Sequence, residues 1–120
     1  MEKTLVLGAS GGMGYSIVKE LSNRGIAVTA FARTKSKLEK LFGHDRNVSI
    51  YAGDIFNLED LKQAAVGVDV IFHAANIPYA EWEEKLLPFM RNIVQAAKEN
   101  SSRLAIVENI YSYGRSAETK

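Results

Sequence analysis

The 120-residue sequence has no cysteine, which excludes disulfides and thiolate metal sites and suits a cytoplasmic protein. It has no excess of either charge. Fifteen Lys and Arg face fourteen Asp and Glu for a formal net charge of +1, so nothing electrostatic calls for a nucleic acid or a membrane surface as partner. No apolar run approaches the roughly 18–20 residues of a membrane span. Met1, Glu2 and Lys3 lead straight into a short strand, with no cleavage site behind a hydrophobic stretch, so no signal peptide is expected. Nothing repeats at a solenoid period, and no segment is of low complexity. The remainder, 47% hydrophobic and 24% charged, is the composition of an ordinary globule. The length predicts one domain over 1–120, short for an enzyme with separate cofactor and substrate parts.

The chain is organised around its first apolar run, Thr4-Leu5-Val6-Leu7, which breaks into Gly8-Ala9-Ser10-Gly11-Gly12-Met13-Gly14 and then takes up helical spacing at Tyr15 to Leu21. Glycines permit a left-handed backbone or a close approach of another group. At a strand-to-helix turn the first helical N–H groups have no intrahelical partner, and the helix dipole presents its positive end. A pyrophosphate can be held there by backbone alone. No Gly-Lys-Ser/Thr follows, so the triphosphate-binding loop is excluded. A β-branched side chain at Gly11 or Gly14 is expected either to strain this turn or to occupy the pyrophosphate's space.

Beyond the turn, the pattern predicts a helix over 12–24 stopped by Gly25, a strand over 26–32 and a helix over 34–42 closed by Gly43. A third strand over 48–53 leads to a helix over 57–66 capped by Asn57, with Asp60 in its first turn. A fourth strand runs over 68–75. A helix over 81–100 then carries Trp82, Leu86, Met90, Ile93, Val94 and Ala97 on one stripe, with Pro88 either kinking it or marking its first turn. The fifth strand covers 103–109. Strands alternating with helices at these lengths imply an α/β fold: a doubly wound parallel sheet in the order 3-2-1-4-5, with helices on both faces. Its ligand crevice lies at the switch between strands 1 and 4.

Four motifs together resemble the extended short-chain dehydrogenase/reductase family, the NAD(P)-dependent epimerase/dehydratase group. They are the three-residue glycine spacing of Gly8, Gly11 and Gly14, the Gly53-Asp54-Ile55 step, His73-Ala74-Ala75-Asn76, and Tyr113-Gly114. The resemblance spans nearly the whole chain and implies a Rossmann-like NAD(P)-binding domain, the N-terminal part of an oxidoreductase whose C-terminal substrate-binding part is absent. It implies hydride transfer to a sugar or small carbonyl substrate when complete. Asn109 stands where the family places a catalytic serine, and the Tyr-x-x-x-Lys pair expected beyond Tyr113-Gly114 does not occur there. The catalytic residues are therefore left unknown, and a non-catalytic dinucleotide sensor or a truncated inactive product stands as the alternative.

The candidate cofactor-binding residues are Gly8, Ser10, Gly11, Gly12, Met13, Gly14, Arg33, Asp54, Ile55, Ala74, Ala75 and Asn76. Arg33, at the end of strand 2, matches a ribose 2′-phosphate and favours NADP, with NAD as the other choice; its plainer reading is a solvated loop arginine. The resemblance gives Asp54 the adenine amine, while capping the next helix would equally account for it. Ile55 packs on the adenine or in the core. His73 reads as a buried, hydrogen-bonded histidine before it reads as a catalyst. Ala74 and Ala75 keep the end of strand 4 open to ribose and phosphate. Beyond the dinucleotide and an unknown small-molecule substrate, the expected partner is a second copy. With no helix over the outer sheet, one face of strands 4 and 5 (Val70, Phe72, Ile106 or their neighbours) is expected to lie bare and to drive a homodimer, held through strand 5 edges or through the helix that carries Trp82.

Overall fold

The computed structural model describes residues 2–74, 84 and 87–106. Its elements follow in the order β1 (Lys3–Leu7), α1 (Gly12–Asn23), β2 (Ala27–Ala32), α2 (Lys35–Phe42), β3 (Val48–Ala52), α3 (Leu58–Ala64), β4 (Val70–His73), α4 (Leu87–Glu99) and β5 (Arg103–Ile106). The strands form one parallel sheet in the order β3-β2-β1-β4-β5, as the alternation of strands and helices predicted. This is the Rossmann fold. Because side chains alternate across a strand, each face takes its own core. Leu5, Leu7, Phe31 and Ile71 pack with Leu61 of α3 and with Phe89 and Ile93 of α4. On the other face Val6, Val28 and Ala30 pack with Val18 of α1 and with Leu38 and Phe42 of α2.

Local chemistry sets the ends of the helices. Helix α1 stops in a Schellman arrangement: Gly25, at φ +77°, donates to Ser22 O at 2.9 Å, and Ile26 N–H reaches Leu21 O at 3.0 Å. Asn57 caps α3 through Oδ1, which accepts the N–H groups of Glu59 and Asp60 at 2.9 and 3.2 Å. Pro88 falls in the first turn of α4, the second of the two roles expected for it. Gly43 does follow α2, but with φ −60°, so it closes the helix without the left-handed turn that glycine usually supplies there.

Register pairs Phe72 with Ala105 and His73 with Ile106, so on β5 it is Ala105, the neighbour of Ile106, that shares the face of Val70 and Phe72, while Ile106 lies exposed on the other face with His73. Among the described residues, no helix is long and apolar enough to cross a membrane.

Candidate functional site

All the strands run the same way, so the segments that leave their C-terminal ends share one edge of the sheet. Along that edge, in spatial order, come Asp54 after β3, Arg33 after β2, Gly8 after β1 and Ala74 after β4. Leu7 and His73 are register partners, and Ala74 N–H donates to Leu7 O at 3.0 Å, so the glycine turn and the β4 exit lie side by side at the reversal of strand order. Such a crevice is where open α/β sheets take their ligands.

The turn is built from backbone. Gly8 adopts φ +79°, and the N–H groups of Gly8 and Ala9 both donate to Phe31 O, at 3.0 and 3.1 Å, which pins the turn to β2. Gly11 N–H closes back on Gly8 O at 3.1 Å. The α1 ladder begins with Tyr15 N–H to Gly11 O at 2.8 Å, so the N–H groups of Gly12, Met13 and Gly14 precede it. Gly11 is the N-cap and offers no side chain to them, and the first turn of α1 contains no acidic residue. Helix α3 differs, with Asn57 on its N–H groups and Glu59 and Asp60 against its dipole. The open end of α1 is therefore suited to an anion, and that of α3 is not.

Space above the turn is consistent with this. A Cβ on Gly12 would meet nothing within 4 Å, and one on Gly11 would meet only Gly8 O at 3.5 Å, so the backbone here is open to an approaching group. Gly8 and Ser10 are half-buried, and Gly11, Gly12 and Met13 are exposed. Gly14 is buried under the turn and serves packing instead.

Arg33 is exposed just past β2 and makes no ion pair with the described residues. Lys35 and Lys37 follow on the exposed start of α2. Asp54 is exposed and does not cap α3, since Asn57 does; its Oδ1 accepts Phe56 N–H at 2.9 Å in a local turn. Ile55 is partly buried against the α3/α4 core, which favours its packing role. His73 is buried and meets Phe89 edge-on, with ring centroids 4.7 Å apart, in keeping with a structural histidine. Ala74 is half-buried at the crevice. Ala75 and Asn76 lie outside the described residues, as do Asn109 and Tyr113-Gly114. Among the described residues, no three of His, Cys, Asp and Glu stand close enough to hold a metal ion.

Two contacts at the Asp54 turn had no clear signal in the sequence. Asp60 Oδ2 accepts Asp54 N–H at 2.9 Å, and Asn92 of α4 donates to Phe56 O at 3.3 Å. An acid three residues after an Asn cap reads as a capping box, in which the acid returns to the cap's own N–H. Here it reaches back further.

A sequence-family model described as NAD(P)H-binding matches residues 8–119. The 2-alkyl-3-oxoalkanoate reductase of Shewanella oneidensis is 38% identical over 93 residues, which cover 77% of this chain and 22% of that protein. The 3-beta-hydroxysteroid dehydrogenase of Mycolicibacterium neoaurum is 40% identical over 75 residues, covering 62% of this chain and 19% of the relative. A solved structure of a Rossmann-fold NAD(P)-binding family protein from Shigella flexneri is similar with a TM-score of 0.72 at 28% identity, covering 99% of this chain and 60% of the other. The chain spans about a fifth of the length of these two curated relatives.

Proposed function

The chain belongs to the NAD(P)H-binding family and is an oxidoreductase-like, nicotinamide-dinucleotide-binding domain, and from that premise we propose that it takes NADP(H) in preference to NAD(H) for carbonyl reduction. The residues suit the cofactor. The open N-terminus of α1 and the unobstructed backbone at Gly11 and Gly12 would hold the pyrophosphate, with Gly8, Ser10, Met13 and Gly14 shaping the turn. Asp54 and Ile55 would receive the adenine, while Ala74, with Ala75 and Asn76 beyond it, would flank the nicotinamide ribose. When bound, the nicotinamide ring supplies or accepts the hydride.

The observation that carries the NADP(H) preference is Arg33. Arg33, exposed and without an acidic partner among the described residues, follows β2, the strand between those that lead to the glycine turn and to Asp54, which supports a role for it at a ribose 2′-phosphate. Arg pairs bidentately with phosphate, and an acidic side chain at this position would instead favour the 2′-hydroxyl of NAD(H). The relatives' names, a 3-oxoalkanoate reductase and a hydroxysteroid dehydrogenase, support a ketone or secondary alcohol as the reacting group. Asn109, standing where the family places its serine, favours a second reading, a dinucleotide-binding module without turnover.

Titration calorimetry with NADPH and NADH tests the preference. Tighter NADPH is the expected result, and equal affinities or tighter NADH would remove it. Oxidation of NADPH, followed optically with 3-oxoacyl and steroid ketones, separates the enzyme from the non-catalytic module.

A further inference from the structure

We propose that Asp60 is the positioning residue that fixes Asp54 for recognition of the adenine amine, an inference that rests on the cofactor reading above. The geometry is a closed set of bonds around one residue. Asp54 donates its N–H to Asp60 Oδ2 at 2.9 Å, accepts Asn57 N–H on its carbonyl at 2.9 Å, and accepts Phe56 N–H on Oδ1 at 2.9 Å. The backbone of Asp54 is thus held on both sides, and one carboxylate oxygen is occupied. The other, Oδ2, has no partner among the described residues and belongs to an exposed side chain. An exposed carboxylate oxygen on a residue held in this way is the acceptor that an exocyclic amine requires.

Asp60 is itself well placed to act through the backbone. It is the third residue of α3, and its own N–H is held by the Asn57 cap at 3.2 Å, so its side chain is directed by a capped helix end. Its carboxylate lies tightly over the preceding step: a Cβ on Gly53 would come within 3.1 Å of Asp60 Oδ2 and 3.0 Å of both Phe31 Cζ and Tyr51 Cε1. Gly53 is thereby explained as the residue that lets the carboxylate reach Asp54 N–H. On the far side Tyr51 stacks on Phe31 with centroids 5.3 Å apart and donates its hydroxyl to Gln63 Oε1 at 2.9 Å, which ties the next turn of α3 to the end of β3. Burial, and secondarily the Asp60 carboxylate, raise the Tyr51 phenol above its ordinary pKa, so it stays a neutral donor. Without Asp60 the Asp54 N–H has no acceptor in this set, and the 53–54 step is free to rotate the carboxylate away from the base.

The alternative role for Asp60 is a favourable charge on the α3 dipole alone. The experiment separates the two by measuring base discrimination along with stability. Dissociation constants are taken on the full chain for NADPH and NADH, each beside its hypoxanthine counterpart, in which a carbonyl replaces the adenine amine. The wild type is expected to favour adenine on the order of tenfold or more, the effect of one charge-assisted hydrogen bond. Asp60→Ala should bring that ratio several-fold closer to one. Asp60→Asn keeps an acceptor oxygen without the charge and should retain most of the ratio even if its melting temperature falls.

A wild type that binds none of the four ligands overturns the cofactor reading and this proposal together. Binding without base discrimination overturns the proposal and leaves the cofactor reading standing. An undiminished ratio in Asp60→Ala, or equal loss in Asp60→Asn and Asp60→Ala, assigns Asp60 to the helix alone and overturns it. Should Asp60→Ala not fold, amide exchange of Asp54 in the wild type decides: protection supports the hydrogen bond to Asp60, and exchange at open-loop rates overturns it.

Discussion

Gly14 lies directly against the backbone of Gly8: a Cβ built on it would overlap the Gly8 carbonyl oxygen and stand 2.7 Å from the Gly8 carbonyl carbon and 3.0 Å from Ala9 Cα. The contacting atoms are backbone and cannot swing aside. The Gly8 carbonyl is also held by Gly11 N–H at 3.1 Å, so relief at Gly14 would dismantle the turn. The glycines at 11 and 14, alike in spacing, therefore do different work. Gly14→Ala is expected to destabilise the fold by at least about 1–3 kcal/mol, the usual cost of overpacking. Gly11→Ala should change stability by about 1 kcal/mol or less, through a poorer N-cap, while weakening dinucleotide binding. Thermal melts beside calorimetric titration check both, and a Gly11→Ala variant that binds as tightly as wild type would count against the turn as the pyrophosphate site.

Arg33 offers a sharper test of the ligand. Losing one charge-assisted pair costs about 1.5–3 kcal/mol, or roughly ten- to a hundred-fold in affinity, before solvent screening reduces it. Arg33→Ala should weaken NADPH and leave NADH nearly unchanged, and Arg33→Asp should invert the preference. Parallel losses for both cofactors would show that Arg33 does not read the 2′ position.

A pH effect is expected far from the ligand edge. Asp45 accepts from Ser22 Oγ through both oxygens at 2.7 and 2.6 Å, joining α1 to the segment before β3. That bond first, then Asn47 N–H and the Lys19 ammonium at 4.0 Å, hold its carboxyl below the ordinary 3.8, against partial burial. A carboxyl depressed by folding contributes fully above its unfolded pKa and loses that contribution as pH falls through the folded value. Asp45→Ala should cost about 1–3 kcal/mol near neutrality, and the gap to wild type should close as pH drops below 3.8. Denaturant melts of both proteins across this range check the sign.

Self-association is the remaining expectation. Val70, Phe72 and Ala105 share the sheet face beside α1 and are only half-buried, and Phe72 borders an apolar groove of about 530 Å³ with Met13, Ile17 and Leu21. A second copy seated there in a standard dimer would bury about 1,200–2,000 Å². Sedimentation equilibrium at micromolar concentration should find a dimer, and a monomer with a cooperative melt would remove this expectation.

Patterns that act over a few residues were legible before any coordinates. Period and run length separated strands from helices, Gly25 and Asn57 marked helix ends, and the glycine turn stood out because an apolar strand breaks there into three-residue glycine spacing. Right-handed crossovers then left the observed strand order as the expected one. Tertiary structure alone decided which glycine packs and which leaves space, that Ile106 faces away from Phe72, and that Asp60 returns over the Gly53-Asp54 step. The physical reason is common to all three. Each depends on where a backbone or carboxylate atom from another turn or strand comes to rest, to within about an ångström, and residue spacing along the chain does not carry that distance.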